Sequence, residues 1–544
     1  MILKLFENLD YLSLIGITLI SYITYYYYKY FTRINPLPGP FPLPFFGNLL
    51  HLYIWNDGNL KKFFETNHKK YGELFEFHFD TRFIALNKIE HIEKLLLSSS
   101  KNPYIKKMND NNCKGFHELG VLGKGILLNQ DYKSWRYNRN FFSQAILSPK
   151  FSDEAINWTN KLFNELENYW DKLYINIKER NNTIIIKENN ISTWFNLFTN
   201  DMIIALLTGE RSFTMAGYFN EISDDEKAER PSALVDETVK FVHAIRKYIL
   251  GLLMFQFVSP FLRHYFPYFK NKSDDYIQNI KFINQRMDTI IKRRRQEIEN
   301  TPLDKPLPND MLTSIITANT LRDVNYNKID DKEAMRPVTD LEIRGIIFDG
   351  IIAGTDTTAN LISFIVYYLA HHPDVKRKMF DEVDRIFQDD KTRPITESDV
   401  HKLKYCEAIV KEVARIFSVV NSFPRSLEKP DEIGGYQWPA DTMLRINIDA
   451  IHHNEEYWEE ANKFNPDRWM VEGFEPKKNS FIMFGGGLRI CPGRKLAMIE
   501  LICLTALIFR KYDIDLIDKK APLKTESATV TACTELLVDI KLRN

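Results

Sequence analysis

Phe484-Gly485-Gly486-Gly487-Leu488-Arg489-Ile490-Cys491-Pro492-Gly493 is the stretch on which the reading of this chain turns. An apolar run over residues 496–509 follows it, which places the cysteine at the start of a predicted helix. Unpaired backbone N–H groups and the positive end of the helix dipole favour the ionised thiolate there, the form that binds metals. Pro492 suits a first helical position, because it lacks the N–H that would be orphaned there. The glycines let the backbone approach a flat ligand closely and point amides at the sulfur. Arg489, two residues before the cysteine, supplies charge to an anionic group beside it.

The surrounding chain narrows the choices. Its 544 residues carry 72 Lys plus Arg against 72 Asp plus Glu and are 44% apolar. A balanced, interspersed charge lacks the basic footprint of a nucleic-acid binder, and the apolar fraction excludes a disordered chain. Five cysteines, none spaced Cys-x-x-Cys, argue against a disulfide scaffold, a zinc ribbon and a covalently attached c-type haem. A reduced, cytosol-facing protein follows.

Residues 11–28 carry no charge, and as a helix at about 1.5 Å per residue they span roughly 27 Å, close to a bilayer core of about 30 Å. The run is too long and too rich in tyrosine for a cleaved signal peptide. It reads as a retained, single-pass transmembrane anchor over residues 1–31. Glu7 and Asp10 precede it while Lys29 and Arg33 follow, which puts the body on the cytoplasmic side. Prolines at 36, 38, 40, 42 and 44 then deny residues 32–48 both helix and sheet and make a stiff, proline-rich hinge. Residues 49–544 form the rest, with no linker-like break.

Phe75, Phe77 and Phe79 alternate with Glu76, His78 and Asp80, the period of a half-buried strand. Helical patterns cover residues 155–173, 275–299, 338–372 and 404–417, with short strands over 431–447 and in the last thirty residues. Residues 319–336 read as a surface loop. The fold class is mainly α with small β-sheets (α+β): one large helical domain with a minor β region. Residues 250–258 are apolar but too short to span a bilayer, so they are either core or a second membrane contact.

Further motifs stand apart from the cysteine. Thr339 and Glu342 have capping-box spacing and open the longest helix, which stops before Pro373. Inside it lies Ala353-Gly354-Thr355-Asp356-Thr357-Thr358, where an acid and hydroxyls in an apolar helix are costly to bury without partners. A structural acid satisfied elsewhere, with the threonines bonded back to helix carbonyls, explains that segment equally well. Glu412 and Arg415 share a helix face, as a solvated surface pair would. Trp135 and Arg139, Phe423-Pro424-Arg425 and Phe464-Asn465-Pro466-Asp467-Arg468-Trp469 are singly unremarkable.

Taken together, these segments resemble the cytochrome P-450 family, whose signature Phe-x-x-Gly-x-Arg-x-Cys-x-Gly is filled at Phe484, Gly487, Arg489, Cys491 and Gly493. The resemblance implies haem b (iron protoporphyrin IX) held by an axial Cys491 thiolate that pushes electron density to the iron and favours O–O cleavage. It implies that Asp356 and Thr357 are catalytic, forming a groove that holds dioxygen and relays protons. Trp135, Arg139, Arg425 and Arg489 are implied to hold the propionates. Glu412, Arg415 and Arg468 are implied to form a buried structural network. Ser418, Asp467 and Trp469 stand where the family often has Pro, Glu and Phe.

The implied activity is that of a membrane-anchored haem-thiolate monooxygenase acting on an apolar organic substrate and dioxygen. No Gly-x-Gly-x-x-Gly follows a strand, so electrons come from a separate NADPH-dependent flavoprotein reductase, with Lys133, Lys150, Arg494 and Lys495 as docking charges. The implied location is the endoplasmic reticulum membrane, and no nucleic acid is involved. Residues 102–122 are implied to cover the distal pocket. A haem-thiolate isomerase or dehydratase, and a non-enzymatic haem sensor, share the ligand. Retention of Asp356 and Thr357 counts against the former, and the lack of a signalling domain against the latter.

Overall fold

The computed structural model describes residues 11–79, 81–97, 106–121, 123–175, 184–185, 190–223, 227–228, 232–320, 322, 336–388, 390–528 and 530–543. The helices used below are α1 (Tyr11–Phe31), α2 (Asp110–Leu119), α3 (Tyr132–Ile146), α4 (Pro149–Ile175), α5 (Ile191–Thr208), α6 (Ser232–Phe257), α7 (Pro267–Asn300), α8 (Asp340–His371), α9 (Lys404–Ile416) and α10 (Arg494–Lys511). The strands are β1 (Leu74–His78), β2 (Arg82–Leu86), β3 (Ser422–Ser426), β4 (Met443–Asn447), β5 (Tyr512–Leu516) and β6 (Val538–Leu542). The mainly α architecture with small sheets agrees with the sequence. Most of the loop expected at 319–336, part of the stretch 102–122, and Asp80 lie outside the described residues.

The central element is α8. Thr339 caps it through the full reciprocal box with Glu342, and it stops at His372 ahead of Pro373 as the sequence requires. It is buried along most of its length and packs lengthwise on α5, a helix buried almost all round. Gly350 and Gly354 allow that approach, since a Cβ there would press on Leu207 and Ile203 of α5. The Thr199 hydroxyl crosses the seam to donate to the Thr355 carbonyl at 2.9 Å.

One sheet has the order β1-β2-β4-β3, with β2 and β4 parallel and the outer pairs antiparallel. All five residues of β4 are buried, as befits a strand covered on both faces. Phe75, Phe77 and Phe83 anchor β1 and β2 in an aromatic cluster with Phe63 and Phe64, where Phe77 and Phe83 stack at 5.2 Å. Each such burial stabilises by roughly 1.5–3 kcal/mol. The expected half-exposed alternation fails at Glu76, which is also buried. The proline-rich segment covers that face: the Glu76 N–H donates to the Pro38 carbonyl at 2.9 Å, and the Glu76 carboxylate pairs with Arg33 at 2.5 Å and Arg82 at 2.6 Å. A second sheet joins β5 and β6 near the C-terminus.

The transmembrane anchor expected at the N-terminus is corrected. α1 forms, but among the described residues no helix is long and apolar enough to cross a membrane. Seven of its 21 residues are tyrosine, whose phenol favours an interface over hydrocarbon. α1 instead leans on the body, with Tyr22 stacked on Phe45 at 4.3 Å and Tyr27 on Phe41 at 5.4 Å. Residues 250–258 resolve mostly as core, with Met254, Phe255, Phe257 and Val258 buried and Leu250 exposed.

Glu412 and Arg415 of α9 are fully buried and paired through two bonds of 2.8 and 2.9 Å. Arg468 Nε reaches the same carboxylate at 3.2 Å, the Trp469 indole N–H at 2.9 Å and the Asn465 N–H at 3.0 Å. Arg415 spends its other donors on the His452, Ala461 and Lys463 carbonyls. The carboxylate is the hub that lets two guanidinium groups be buried. Glu412→Gln should therefore cost roughly 3–5 kcal/mol and show as lost soluble protein or a large fall in thermal midpoint. Wild-type yield and midpoint would contradict this.

Candidate functional site

The segment after Ile482 folds as a hairpin-like loop: the Gly485 N–H donates to the Ile482 carbonyl at 2.8 Å and the Cys491 N–H to the Phe484 carbonyl at 2.9 Å. Gly487, at φ 65°, passes so close to Leu96 and Leu97 that a Cβ would lie 3.1 Å from their backbone. α10 starts at Arg494 with Gly493 as its cap residue, so Pro492 precedes the first helical position expected for it. The sulfur nevertheless takes a hydrogen bond from the Gly493 amide. Burial raises the Cys491 thiol, while that amide, Arg139, Arg494 and Lys107 pull the other way and favour a thiolate.

His452 anchors the start of this loop. Its Nε2 accepts the Ile482 N–H at 3.0 Å, so the proton resides on Nδ1, 3.3 Å from the Ser418 hydroxyl. Burial holds this imidazole well below its usual pKa and therefore neutral. Its carbonyl accepts from Arg415 at 2.9 Å, which ties the Glu412 network to the cysteine loop.

Around the sulfur converge the basic residues singled out from the sequence. Arg139 on α3 donates to the Ile490 carbonyl at 2.6 Å. Arg489 lies over the Trp135 ring at 4.2 Å and donates to the carbonyls of Ile126 at 3.0 Å and Asn129 at 2.6 Å. Arg425 on β3 is buried beside Phe423, with Nη1 on the Pro424 carbonyl at 2.9 Å. Trp135 Nε1 and Arg425 Nε are buried with no hydrogen-bond partner. Sequence reasoning missed a fourth cation, Lys107, because nothing in its neighbourhood marks it. Burial, then Arg489 and Arg425, bring Lys107 down to about 7. Burial and mutual repulsion bring Arg489 to about 9, and burial brings Arg139 and Arg425 to about 10.

Cations gathered beside a thiol, with unpaired N–H groups at Arg425 Nε and the Trp135 indole, suit an anionic partner, and the haem implied by the resemblance, with its iron and two carboxylates, offers one. The residues present fit that group.

Asp356 and Thr357 lie on α8. The helix is continuous there, but its surface is uncovered: Ala353 is exposed and Gly354, Asp356 and Thr357 are half-buried. The Thr357 hydroxyl donates back to the Ala353 carbonyl at 2.6 Å, and Asn360 Nδ2 to the Asp356 carbonyl at 2.6 Å. Such side-chain bonds compete with the backbone ladder and loosen the helix locally. A third acid on this helix, Asp349, was also missed, although an aspartate inside the run Ile346-Ile347-Phe348-Asp349-Gly350-Ile351 was visible. Burial raises its carboxyl to about 6.

The comparisons with known proteins bear on the family and the fold. The family description Cytochrome P450 matches residues 37–542. The chain is 26% identical to Cytochrome P450 3A1 of Rattus norvegicus over 87% of this chain and 84% of that protein. It is 25% identical to a Lithocholate 6-beta-hydroxylase of Mesocricetus auratus over 88% and 85% respectively. The crystal structure of a cytochrome P450DA heme domain superposes with a TM-score of 0.73 at 20% identity, covering 94% of this chain and 99% of that one.

The cation cluster gives an expectation of opposite signs. Lys107→Met should raise the thermal midpoint of the haem-free chain, by relieving repulsion, and weaken haem retention by roughly tenfold or more, the scale of one charge-assisted hydrogen bond. Changes of the same sign would contradict the assignment.

Proposed function

The chain belongs to the cytochrome P450 family, whose members bind haem through a cysteine thiolate and act as monooxygenases, and on that premise we propose how its own residues divide the work. Cys491 is the iron ligand, held by Phe484, Gly487 and Gly493. Trp135, Arg139, Arg425 and Arg489, with Lys107, hold the propionates. Bound haem supplies the activation of dioxygen that inserts one oxygen atom into substrate and releases the other as water. The observation that carries this reading is the gathering of Arg139, Arg489 and Arg425 at the cysteine loop, with the Trp135 indole N–H and Arg425 Nε left unpaired.

Thr357 and Asp356 deliver protons from the uncovered turn of α8. The hydroxyl, which donates to the Ala353 carbonyl here, would turn from it to pass on a proton taken from Asp356. The substrate is an apolar organic molecule, a reading supported by the relative named for lithocholate. Electrons come from a separate NADPH-dependent flavoprotein reductase at the Cys491 side, where Lys133 and Lys150 are exposed. The catalytic domain occupies residues 49–544, after the proline-rich segment 32–48. It faces the cytoplasm at the endoplasmic reticulum membrane, a location supported by exposed Tyr11, Leu12, Ile15 and Ile20 on α1.

With such a reductase and NADPH, oxygen uptake should rise when a substrate is bound. Haem reduction without oxygen uptake on any apolar substrate would overturn the monooxygenase reading. Thr357→Ala should keep haem but lower product formed per NADPH by roughly tenfold or more, with hydrogen peroxide in its place and rescue by Thr357→Ser; unchanged coupling would exclude the proton relay. The sequons at Asn157, Asn181, Asn190 and Asn271 should stay unglycosylated in the native host. Asn190 is already committed, its Nδ2 to the Thr534 carbonyl at 2.6 Å and its Oδ1 to the Leu536 N–H at 2.8 Å. A glycan on any of the four would invert the orientation.

A further inference from the structure

Asp349 precedes Ala353 by four residues and Asp356 by seven on α8, so the three share one helix face. Its Oδ2 accepts two backbone N–H bonds from the loop ahead of α3, from Ile126 at 2.6 Å and Leu127 at 2.7 Å. The same loop is gripped from the other side. The Ile126 carbonyl accepts from Arg489 Nη1 at 3.0 Å and the Asn129 carbonyl from Arg489 Nη2 at 2.6 Å. Ile126 is thus held by its N–H to the helix of the uncovered turn and by its carbonyl to the cysteine loop.

The approach is built into the backbone. A Cβ at Gly125 would collide with Asp349 Oδ2 and the Gly345 carbonyl, and one at Gly345 would lie 2.6 Å from the Gly125 nitrogen. Asn138 Nδ2 closes the loop from α3 with a 2.6 Å bond to the Lys124 carbonyl. Lys107 and Arg489 favour the charged carboxylate, and the phenol of Tyr248 faces it as well. A carboxylate that accepts two amides in such surroundings makes bonds about twice as strong as neutral ones.

We propose that Asp349 is a positioning residue that fixes residues 125–129 between α8 and the cysteine loop and thereby aims Arg489 at the haem propionates. The aim of Arg489 rests on the haem pocket proposed above, whereas the clamp on the two amides stands without it. An asparagine at this position keeps an acceptor oxygen of the same reach. A leucine keeps the volume and loses the acceptor.

The test uses the full-length, haem-loaded protein. Amide hydrogen exchange is followed at Ile126 and Leu127, and haem loss by transfer to excess apomyoglobin. Asp349→Leu should speed both by roughly tenfold or more, while Asp349→Asn should stay within roughly threefold of the unaltered chain. Unchanged amide exchange in Asp349→Leu would overturn the clamp. Faster exchange with unchanged haem loss would overturn the link to Arg489, and an Asp349→Asn variant as impaired as Asp349→Leu would overturn the acceptor role. Should Asp349→Leu yield no folded protein, Gly125→Ala takes its place, since it wedges the loop off an intact carboxylate; the same acceleration is expected, and none would overturn the proposal. The reduced carbon monoxide spectrum of the unaltered chain, recorded first, judges the haem reading separately from these rates.

Discussion

Positive charge crowded beside the cysteine loop is the constraint around which the site is organised. Arg425 is buried and Arg139, Arg489 and Lys107 are half-buried close to one another, and burial lowers the pKa of each. Crowding like charges is costly; the Asp349 carboxylate offsets part of that cost for Lys107 and Arg489, and a further anion would offset more. In the reading proposed above, the two propionates of haem would supply that anion and Cys491 would hold its iron. Haem bound there would add to the stability of the fold.

The same logic, solved internally, supports the other side of the cysteine loop. Glu412 neutralises Arg415 and Arg468, and the Trp469 and Asn465 N–H groups use the remaining acceptor capacity. Because Arg415 also holds the His452 carbonyl and neutral His452 holds Ile482, the network reaches the start of the loop through four groups. Trp469, a departure from the common family pattern, adds a donor where a phenylalanine has none. Asp467, another departure, pairs with Lys378 at 2.5 Å at the surface and leaves the network untouched.

Much of this was legible in the sequence because the decisive chemistry is local. The cysteine loop, the capping box at Thr339 and the uncovered turn at Asp356 each lie within ten consecutive residues, where spacing carries meaning. What escaped is non-local. Lys107 meets three arginines from different elements, and Asp349 meets amides more than 200 residues earlier in the chain. Glu76 looked exposed by its alternation, but residues 33–40 return to cover that face. The N-terminal run was read differently: its tyrosines were weighed against a cleaved signal peptide but not against hydrocarbon, and among the described residues no helix is apolar enough to cross a membrane.

The central claim, that Cys491 ligates haem as a thiolate, is tested most directly by the difference spectrum of the reduced protein with carbon monoxide. The account predicts the red-shifted Soret band of thiolate ligation in the unaltered chain and its loss in Cys491→Ser. A band of the neutral-ligand kind from intact, monodisperse protein, or a thiolate band retained in Cys491→Ser, would contradict it.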